Sequence, residues 1–415
     1  MFIQRIKRFI KRLSYRKVLA ILFLAFVFYI GASAMPTTII EIGNFLNTER
    51  ADIADRILAT RDDMDTEYRN MLEFDGDYLT NKGSYINFNG LIARIMGQRF
   101  MNERIKLDNG HLTQLTRKQD ASLAAEQLTK LYDRQKENGR EFLFVLAPFQ
   151  APKYEDIVPA GYIDYSNQNS DALLGMLKEN GVPVLDLREE MKNEGMDHSD
   201  AFFTTDHHWK PETGFWAYTE IIDYLTNTGT IEPIDRKYTD INEYEIDLRK
   251  DWFLGSSGKR TGIYFAGVDD FSIFEPKDPN WGREVCLDIP AANIIIQGSF
   301  RDILFYHSRM ETEPDYFIAN PYGWYGLGDR AVKHYQNSAA PTDLNILAMG
   351  DSFALSTFPY LSLVAGSLDD FDMRYYTDDF EEYYSKSNPD VIIVFVTAHG
   401  AVSENTTYDF FSDLQ

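Results

Sequence analysis

From residue 116 onward, the hydrophobic positions alternate between two patterns, one typical of buried strands and one typical of amphipathic helices. Continuous apolar runs predict strands at 142–147, 182–185, 294–296, 344–349, 371–375 and 391–396. Helical spacing predicts helices that end at Asn138, at Asn180 and at Gly229, and further helices after Ser352 and over 378–387. This repeated alternation predicts an α/β fold, in which a parallel sheet with right-handed crossovers carries helices on both faces.

The predicted helix starts rest on capping residues. Thr116 with Gln119 has the spacing of a capping box, and Ser170 is a typical N-cap residue. Pro211 suits the first turn of the third helix, where its missing N–H has no cost. Residues 230–290 break the alternation, since they are rich in aromatic residues, glycine and turns, and they predict a β-rich insertion.

The N-terminal segment has a different composition. Residues 1–17 contain seven Lys or Arg and no acidic residue, and residues 18–40 contain no charged residue. About 20 apolar residues span a bilayer, and the basic end stays in the cytoplasm, so residues 1–40 predict a transmembrane anchor with an extracytoplasmic body. Ala32-Ser33-Ala34 leaves a cleaved signal peptide as the alternative. Residues 41–110 predict a membrane-proximal helical stalk, and 111–415 a catalytic domain.

The charge of the chain and its cysteine content indicate which binding partners and which cellular compartment are compatible with it. The formal net charge is -23, and without the basic N-terminus the remainder carries -30, which nucleic acid phosphates would repel. Cys286 is the only cysteine, so the chain forms no internal disulfide and no cysteine-based metal site. An exported chain without disulfides favours a bacterial cell membrane over a eukaryotic secretory route.

Two short stretches carry the candidate chemistry. Asp206 and His208 stand two positions apart, so in an extended segment both side chains leave the same side of the backbone. Ser352 follows an apolar run and starts a helix, which suits a nucleophile. Together they offer the acid, base and nucleophile of a catalytic triad, which is recognised by geometry and not by chain order.

Other interpretations of these residues stay open. Ser352 could be an ordinary N-cap residue, and His208 could be a core residue at a helix start. Ser299, which also follows a strand, is a rival nucleophile, and His399 is a rival base. The adjacent His207 and His208 raise the question of a metal, but no further ligand at suitable spacing accompanies them, so we expect neither metal nor cofactor.

The two motifs resemble those of a known family. Gly350-Asp351-Ser352-Phe353 resembles the first sequence block of SGNH (GDSL-type) hydrolases, and Asp206-His207-His208-Trp209 resembles the motif that names the bacterial DHHW family. Both are similar to motifs of the alginate O-acetylation proteins, over roughly 110–400. The resemblance implies a flavodoxin-like SGNH fold and a catalytic set of Asp206, His208 and Ser352. It also implies a partner, a membrane-bound O-acyltransferase that delivers the acyl donor.

The resulting functional hypothesis is a membrane-anchored acyl (acetyl) transferase that modifies a cell-surface or secreted polysaccharide. A carbohydrate acetyl esterase with the same residues is one alternative. A non-catalytic polymer-binding or assembly protein is another, in which Trp324 or Tyr325 would stack on sugar rings. The oxyanion hole is left open among four candidates: Asn320, Gly326, Gly328 and Asn337.

Overall fold

The structure is a computed structural model, which describes residues 23–24, 28, 82–310, 315–402, 408 and 410. Contacts divide the chain into two units, 1–86 and 87–415. Residues 87–110, which the sequence analysis assigned to the stalk, belong to the second unit. The predicted anchor and most of the predicted stalk lie outside the described residues. Within the described ranges, no helix is both long and apolar enough to cross a membrane.

The second unit alternates strands and helices as its hydrophobic pattern predicts. Over the described residues the strands are β1 (Phe100–Met101), β2 (Arg104–Lys106), β3 (Leu112–Thr113), β4 (Glu141–Ala147), β5 (Val184–Asp186), β6 (Tyr244–Phe253), β7 (Asp269–Pro276), β8 (Val285–Ile289), β9 (Ile294–Gln297), β10 (Val332–Asn337), β11 (Asn345–Gly350), β12 (Ser367–Asp372) and β13 (Val391–Thr397). The α-helices are α1 (Lys82–Ile95), α2 (Ser122–Glu137), α3 (Ser166–Glu179), α4 (Leu187–Asn193), α5 (His198–Ala201), α6 (Pro211–Asn227), α7 (Ser256–Thr261), α8 (Ile263–Ala266), α9 (Phe300–Leu304), α10 (Phe358–Leu361) and α11 (Phe380–Ser387).

The main sheet is mixed, whereas the sequence pattern predicted a parallel sheet. Within the described residues it has eight strands in the order β5-β4-β13-β11-β12-β10-β8-β9. The part from β5 to β12 is parallel, whereas β10 pairs antiparallel with both β12 and β8, and β8 pairs antiparallel with β9. The run 294–296 is therefore an antiparallel edge strand, because a tight turn at 290–293 returns the chain directly beside β8. An antiparallel edge on a parallel sheet is common in α/β proteins.

The strand predicted at 371–375 lies earlier, at Ser367–Asp372. Its acidic residues hide it from a hydrophobic pattern, and the counter-charges of Asp369 and Asp370 come from another strand. Lys333 pairs with Asp370 at 2.6 Å and His334 pairs with Asp369 at 2.7 Å, both from the neighbouring strand β10. A buried carboxylate is tolerated only when it is paired in this way.

Two predicted helix starts are wrong. α2 begins at Ser122, and Thr116 uses its hydroxyl to hydrogen-bond His399 and not to cap the helix. Ser170 lies inside α3 and donates to the Ser166 carbonyl one turn earlier, so it back-bonds within the helix. The predicted start of α6 at Pro211 is confirmed.

The predicted insertion contains the hairpin of β6 and β7, joined through the short helices α7 and α8. Its last strand, β8, leaves the hairpin and enters the main sheet. The hairpin packs its aromatic side chains on the segment before α6, where Phe203 contacts both Phe253 and Phe271. The insertion therefore lies directly against the stretch that contains Asp206 and His208.

The carboxyl ends of the parallel strands converge beside Ser352. β4 and β13 run in register from Glu141 opposite Val391 to Ala147 opposite Thr397, and β11 ends at Gly350 next to Phe395. Ser352 follows β11 by two residues, so it lies just beyond the carboxyl edge of the sheet. Active sites of open α/β sheets lie at this edge.

Candidate active site

The structure brings together the three residues that the motifs singled out. Nδ1 of His208 lies 2.5 Å from Oδ1 of Asp206, and Nε2 of His208 lies 2.8 Å from Oγ of Ser352. Asp206 is 2% exposed and His208 is 8% exposed, while Ser352 is partly exposed. With the proton on Nδ1, the ring donates to Asp206 and its Nε2 accepts from the Ser352 hydroxyl.

The insertion holds the Asp206 carboxylate from the side opposite His208. Oδ2 accepts the backbone N–H of Ser256 at 2.5 Å, and Oδ1 also accepts the His208 backbone N–H at 3.0 Å. Gly255 packs so closely that a Cβ atom at this position would lie 2.2 Å from the Asp206 Cβ. A neighbouring backbone hydrogen bond also joins the two segments, since the N–H of Gly258 donates to the Thr205 carbonyl at 2.8 Å. The position of the carboxylate is therefore fixed by residues 50 positions away in sequence.

These contacts keep Asp206 ionised. Burial by itself raises the pKa of this carboxyl group, but the imidazoles of His207 and His208 and the hydrogen bonds from His208 and Ser256 outweigh burial. The net result is a pKa well below the usual range for aspartate. The pKa of His207 is lowered, first by burial of its ring and then by the adjacent ring of His208. Asp206 thus supplies a stable negative charge for an imidazolium at His208.

An aromatic residue that sequence reasoning missed supports the other side of the histidine. The ring of Tyr322 stacks on His208 with centroids 4.0 Å apart and an interplanar angle of 17°. The Tyr322 hydroxyl lies 3.2 Å from the Phe353 carbonyl and 3.3 Å from Ser356 Oγ. Trp209 donates to the same two acceptors, each at 3.1 Å. Tyr322 and Trp209 therefore connect the His208 segment to the short helix that begins at Ser352.

The serine itself is not the helix cap. Asp351 caps the short 3₁₀ helix Ser352–Ser356, because its Oδ1 accepts the Phe353 N–H at 3.0 Å. Its Oδ2 accepts the backbone N–H and the hydroxyl of Thr397, both at 3.2 Å, which ties the turn to the end of β13. Since Asp351 performs the capping, the hydroxyl of Ser352 is left to interact with His208.

The rival residues have other roles. Ser299 caps α9, with its Oγ accepting the Asp302 N–H at 3.3 Å. His399 stacks on Phe149 with centroids 4.7 Å apart, and its Nδ1 lies 2.7 Å from Thr116 Oγ1. Burial lowers the pKa of His399. The Ser352 hydroxyl has its hydrogen bond with His208, so the geometry favours His208 over His399 as the base.

Three of the four candidate oxyanion donors are already engaged. The N–H of Gly326 donates to the Leu304 carbonyl at 2.8 Å, and the N–H of Gly328 donates to the Tyr325 carbonyl at 2.9 Å. The side-chain amide of Asn337 donates to backbone carbonyls at 2.9 and 3.2 Å. Asn320 is exposed and remains a candidate. The amide of Ser352, at the start of its 3₁₀ helix, is the second candidate donor.

The proposed sugar-stacking residues are buried. Trp324 is 8% exposed and Tyr325 is fully buried. The Tyr325 hydroxyl accepts the Phe274 N–H at 3.1 Å and donates to the Ser272 carbonyl at 3.0 Å. Their rings therefore complete the core between the insertion and the loop 322–328, and neither offers a face to a glycan.

One cluster has the composition of a metal site. Asp206, His207 and His208 each place a ligand atom within 4.8 Å of the others. Both ring nitrogens of His208 and both oxygens of Asp206 take part in the hydrogen bonds described above, and Nδ1 of His207 lies 2.9 Å from Ser256 Oγ. A metal would have to displace these bonds, so the donor set fits a proton-transfer arrangement better than a cation site.

Comparisons with known proteins find domains similar to this chain. The family model of the SGNH hydrolase-like domain of the acetyltransferase AlgX matches residues 107–248, a range that includes Asp206 and His208. A structure of Bacillus cereus PatB1 with a sulfonyl adduct is similar at a TM-score of 0.61 and 18% identity, covering 74% of this chain and 99% of that chain. A DHHW family protein from Eubacterium siraeum is similar at 0.55 and 14%, covering 74% and 93%.

No curated protein matches the chain. At these identities the two solved structures show a shared fold. The resemblance predicted from the two motifs, to SGNH hydrolase-like acetyltransferases and to the DHHW family, is confirmed by the family match and by these structural neighbours.

Proposed function

We propose that this protein is a serine-dependent O-acetyltransferase that acts on a cell-surface or secreted polysaccharide. The observation that supports this most directly is the unbroken chain of hydrogen bonds from Asp206 through His208 to Ser352, with donor–acceptor distances of 2.5 and 2.8 Å. These are the distances at which a base can take a proton from a nucleophile. The match to an acetyltransferase family supports acetyl as the acyl group.

The reaction would proceed through an acyl-enzyme. Ser352 Oγ attacks the carbonyl carbon of the acyl donor while His208 Nε2 takes its proton, and Asp206 stabilises the imidazolium. The same proton passes to the leaving group as the tetrahedral intermediate collapses to an ester on Ser352. An acceptor hydroxyl then attacks this ester, His208 takes its proton, and the proton returns to Ser352 when the acetylated acceptor leaves. A single oxyanion donor at this centre would contribute about 3 kcal/mol.

The cellular setting follows from the sequence. The uncharged segment 18–40 behind a basic N-terminus supports an anchored protein whose body is extracytoplasmic. A membrane-bound O-acyltransferase would supply the acyl group, and the glycan would be the acceptor. A competing esterase activity is expected at a low level, because Ser352 is partly exposed and water can reach the acyl-enzyme.

The test is covalent labelling followed by transfer. A sulfonyl fluoride and a chromogenic acetyl ester should each leave a mass increase on Ser352, and an added oligosaccharide should become acetylated. Ser352→Ala should abolish labelling, hydrolysis and transfer, whereas Ser299→Ala, which changes another serine after a strand, should leave the active centre intact. Labelling of a residue other than Ser352 would refute the mechanism.

An experiment in cells distinguishes the acetyltransferase from the other candidate functions. A Ser352→Ala strain should carry less acetyl on its polysaccharide while the protein stays folded. More acetyl on the polymer would identify a deacetylase. Unchanged acetylation, with a folded protein that still binds the glycan, would identify a binding or assembly protein.

A further inference from the structure

A buried arginine beside the candidate site has no carboxylate partner among the described residues. Arg104, the first residue of β2, is 9% exposed. Its Nε donates to Ser257 Oγ at 3.2 Å, its Nη1 donates to the carbonyl of the preceding residue at 3.2 Å, and its Nη2 has no acceptor within the described ranges. Arginine keeps its charge when it is buried, and a buried charge is normally paired. Arg104 therefore has a donor to offer to a charged ligand.

The small sheet of β1, β2 and β3, which carries Arg104, lies along one side of the candidate site. Its last strand is joined to the motif segment, since the Leu112 N–H donates to the Thr204 carbonyl at 2.9 Å. Just beyond this strand, Thr116 Oγ1 lies 2.7 Å from His399 Nδ1. The sheet is therefore fixed both to the segment that contains the base and to the chain that follows β13.

The charge of Arg104 acts on two histidines that lie near Phe353, the residue after the nucleophile. His207 contacts Phe353 with ring centroids 6.1 Å apart, and His399 stacks on Phe149, whose ring lies 6.3 Å from that of Phe353. Burial is the largest cause of the lowered pKa of both histidines, and the positive charge of Arg104 lowers the pKa of each further. The guanidinium group is therefore close enough to this side of the site to act on a charged substrate.

The basic side chains of the neighbouring helix α7 already have partners. Lys259 donates to the Ala319 carbonyl at 2.6 Å, and Arg260 Nη1 lies 3.6 Å from Glu103 Oε2. Arg104 is therefore the cation of this region that is best suited to bind a ligand. Its planar group of donors matches the oxygens of a carboxylate or a phosphate.

We propose that Arg104 binds a negatively charged group, a carboxylate or a phosphate, of the acceptor glycan. This inference rests on the proposed function at Ser352. In that mechanism His208 gives a proton to the leaving group and later takes one from the acceptor hydroxyl, so both groups occupy the same position beside Nε2. The chain as a whole has a net charge of -23, which repels an anionic glycan, so a single cation beside the site would determine where the glycan binds.

The experiment compares two chromogenic esters, para-nitrophenyl acetate and an analogue that carries a carboxylate on its phenol leaving group. For each ester, kcat/KM is divided by the rate of non-enzymatic hydrolysis, and the anionic-to-neutral ratio of the two values measures the charge preference. This ratio should fall about ten-fold in Arg104→Gln, because a hydrogen bond to a charged group is lost. A ratio taken within one protein cancels any general loss of activity, which a purely structural role of Arg104 would cause.

The matched control is Lys106→Gln, which removes the same charge from the same strand. The ammonium group of Lys106 donates to the Phe265 carbonyl at 2.8 Å, and the ratio in this variant should equal that of the parent protein. Arg104→Lys should give an intermediate ratio, since lysine keeps the charge but not the planar group of donors. This variant also replaces Arg104→Gln if the latter does not fold.

A transfer assay identifies the charged group. With para-nitrophenyl acetate as the donor, the parent protein should acetylate an oligogalacturonate faster than its carboxyl-reduced, neutral form, and Arg104→Gln should lose this difference. The same behaviour with a phosphorylated oligosaccharide in place of the oligogalacturonate would identify phosphate as the group that is bound.

Three results would overturn the inference. A parent protein that is acetylated on Ser352 by the neutral ester, but that prefers neither the anionic ester nor an anionic acceptor, would leave the proposed function intact and exclude this role of Arg104. A ratio in Arg104→Lys equal to that of the parent, or an equal fall in Lys106→Gln and Arg104→Gln, would exclude direct binding by the guanidinium group. If neither ester acetylates Ser352, the proposed function fails and the inference fails with it.

Discussion

Gly255→Ala tests whether the insertion sets the catalytic geometry. The added Cβ would lie 2.2 Å from the Asp206 Cβ and 2.6 Å from both its Cα and its Oδ2. Non-bonded carbon atoms are most stable at about 3.5–4.0 Å, so α7 and Asp206 would have to separate by roughly 1 Å or more. The backbone of Gly255 has φ of -72°, which alanine adopts without strain, and the clash is thus the whole perturbation.

The expected loss follows from the 2.5 Å bond between Asp206 and His208. A displacement of about 1 Å at a catalytic group can cost about 10²-fold, and a complete loss of the orienting carboxylate costs about 10⁴-fold in serine proteases. We expect kcat for a chromogenic acetyl ester to fall between these limits. Overpacking should also lower the free energy of unfolding by about 1–3 kcal/mol.

The control is Gly175→Ala on the exposed side of α3, where a new Cβ would have no neighbour within 4 Å. It should leave kcat unchanged and increase the free energy of unfolding by about 0.5–1 kcal/mol, since alanine is the better helix former. Urea denaturation and ester hydrolysis measure both quantities. A folded Gly255→Ala protein with kcat within about three-fold of the parent would refute the role given to α7.

Further predictions concern pH, a buried ion pair and the aromatic support. Burial lowers the pKa of His111 and His198 to about 4, so the unfolded chain, with histidine pKa near 6.5, binds more protons as the pH falls through that interval. Urea denaturation should show that the free energy of unfolding falls by about 2 kcal/mol per histidine from pH 7 to pH 5. In His198→Gln the contribution of His198 to this fall should be absent, and a pH dependence equal to that of the parent protein would contradict the prediction. Lys333→Met should lower the free energy of unfolding by about 3–5 kcal/mol, because it leaves Asp370 buried and unpaired. Adding Asp370→Leu should restore most of that free energy, and a double variant as unstable as Lys333→Met would show that the lost ion pair is not the cause. Tyr322→Phe should lose about 1 kcal/mol of stability and keep most of kcat, whereas Tyr322→Ala should lower kcat strongly; equal kcat in both would rule out support by the ring.

The sequence by itself determined the segments whose information is local. β4 and β13 read as continuous apolar runs because both of their faces are buried, and a run of this kind predicts a strand without knowledge of its partner. The two motifs could also be recognised from the local sequence. Asp206 and His208 are separated by one residue, and Ser352 follows a buried strand, so the closeness of the first two side chains and the position of Ser352 at the sheet edge could be inferred from spacing.

The tertiary structure decided whatever depends on residues far apart in sequence. β12 could not be recognised from its hydrophobic pattern, since it contains Asp369 and Asp370, whose counter-charges come from β10. The antiparallel half of the sheet depends on strand pairing, which hydrophobic periodicity does not report. The same holds at the site, where Ser256 lies 50 residues after Asp206 and Tyr322 lies more than a hundred residues after His208. Periodicity reports that a residue is buried, but only the folded chain determines which partner it meets.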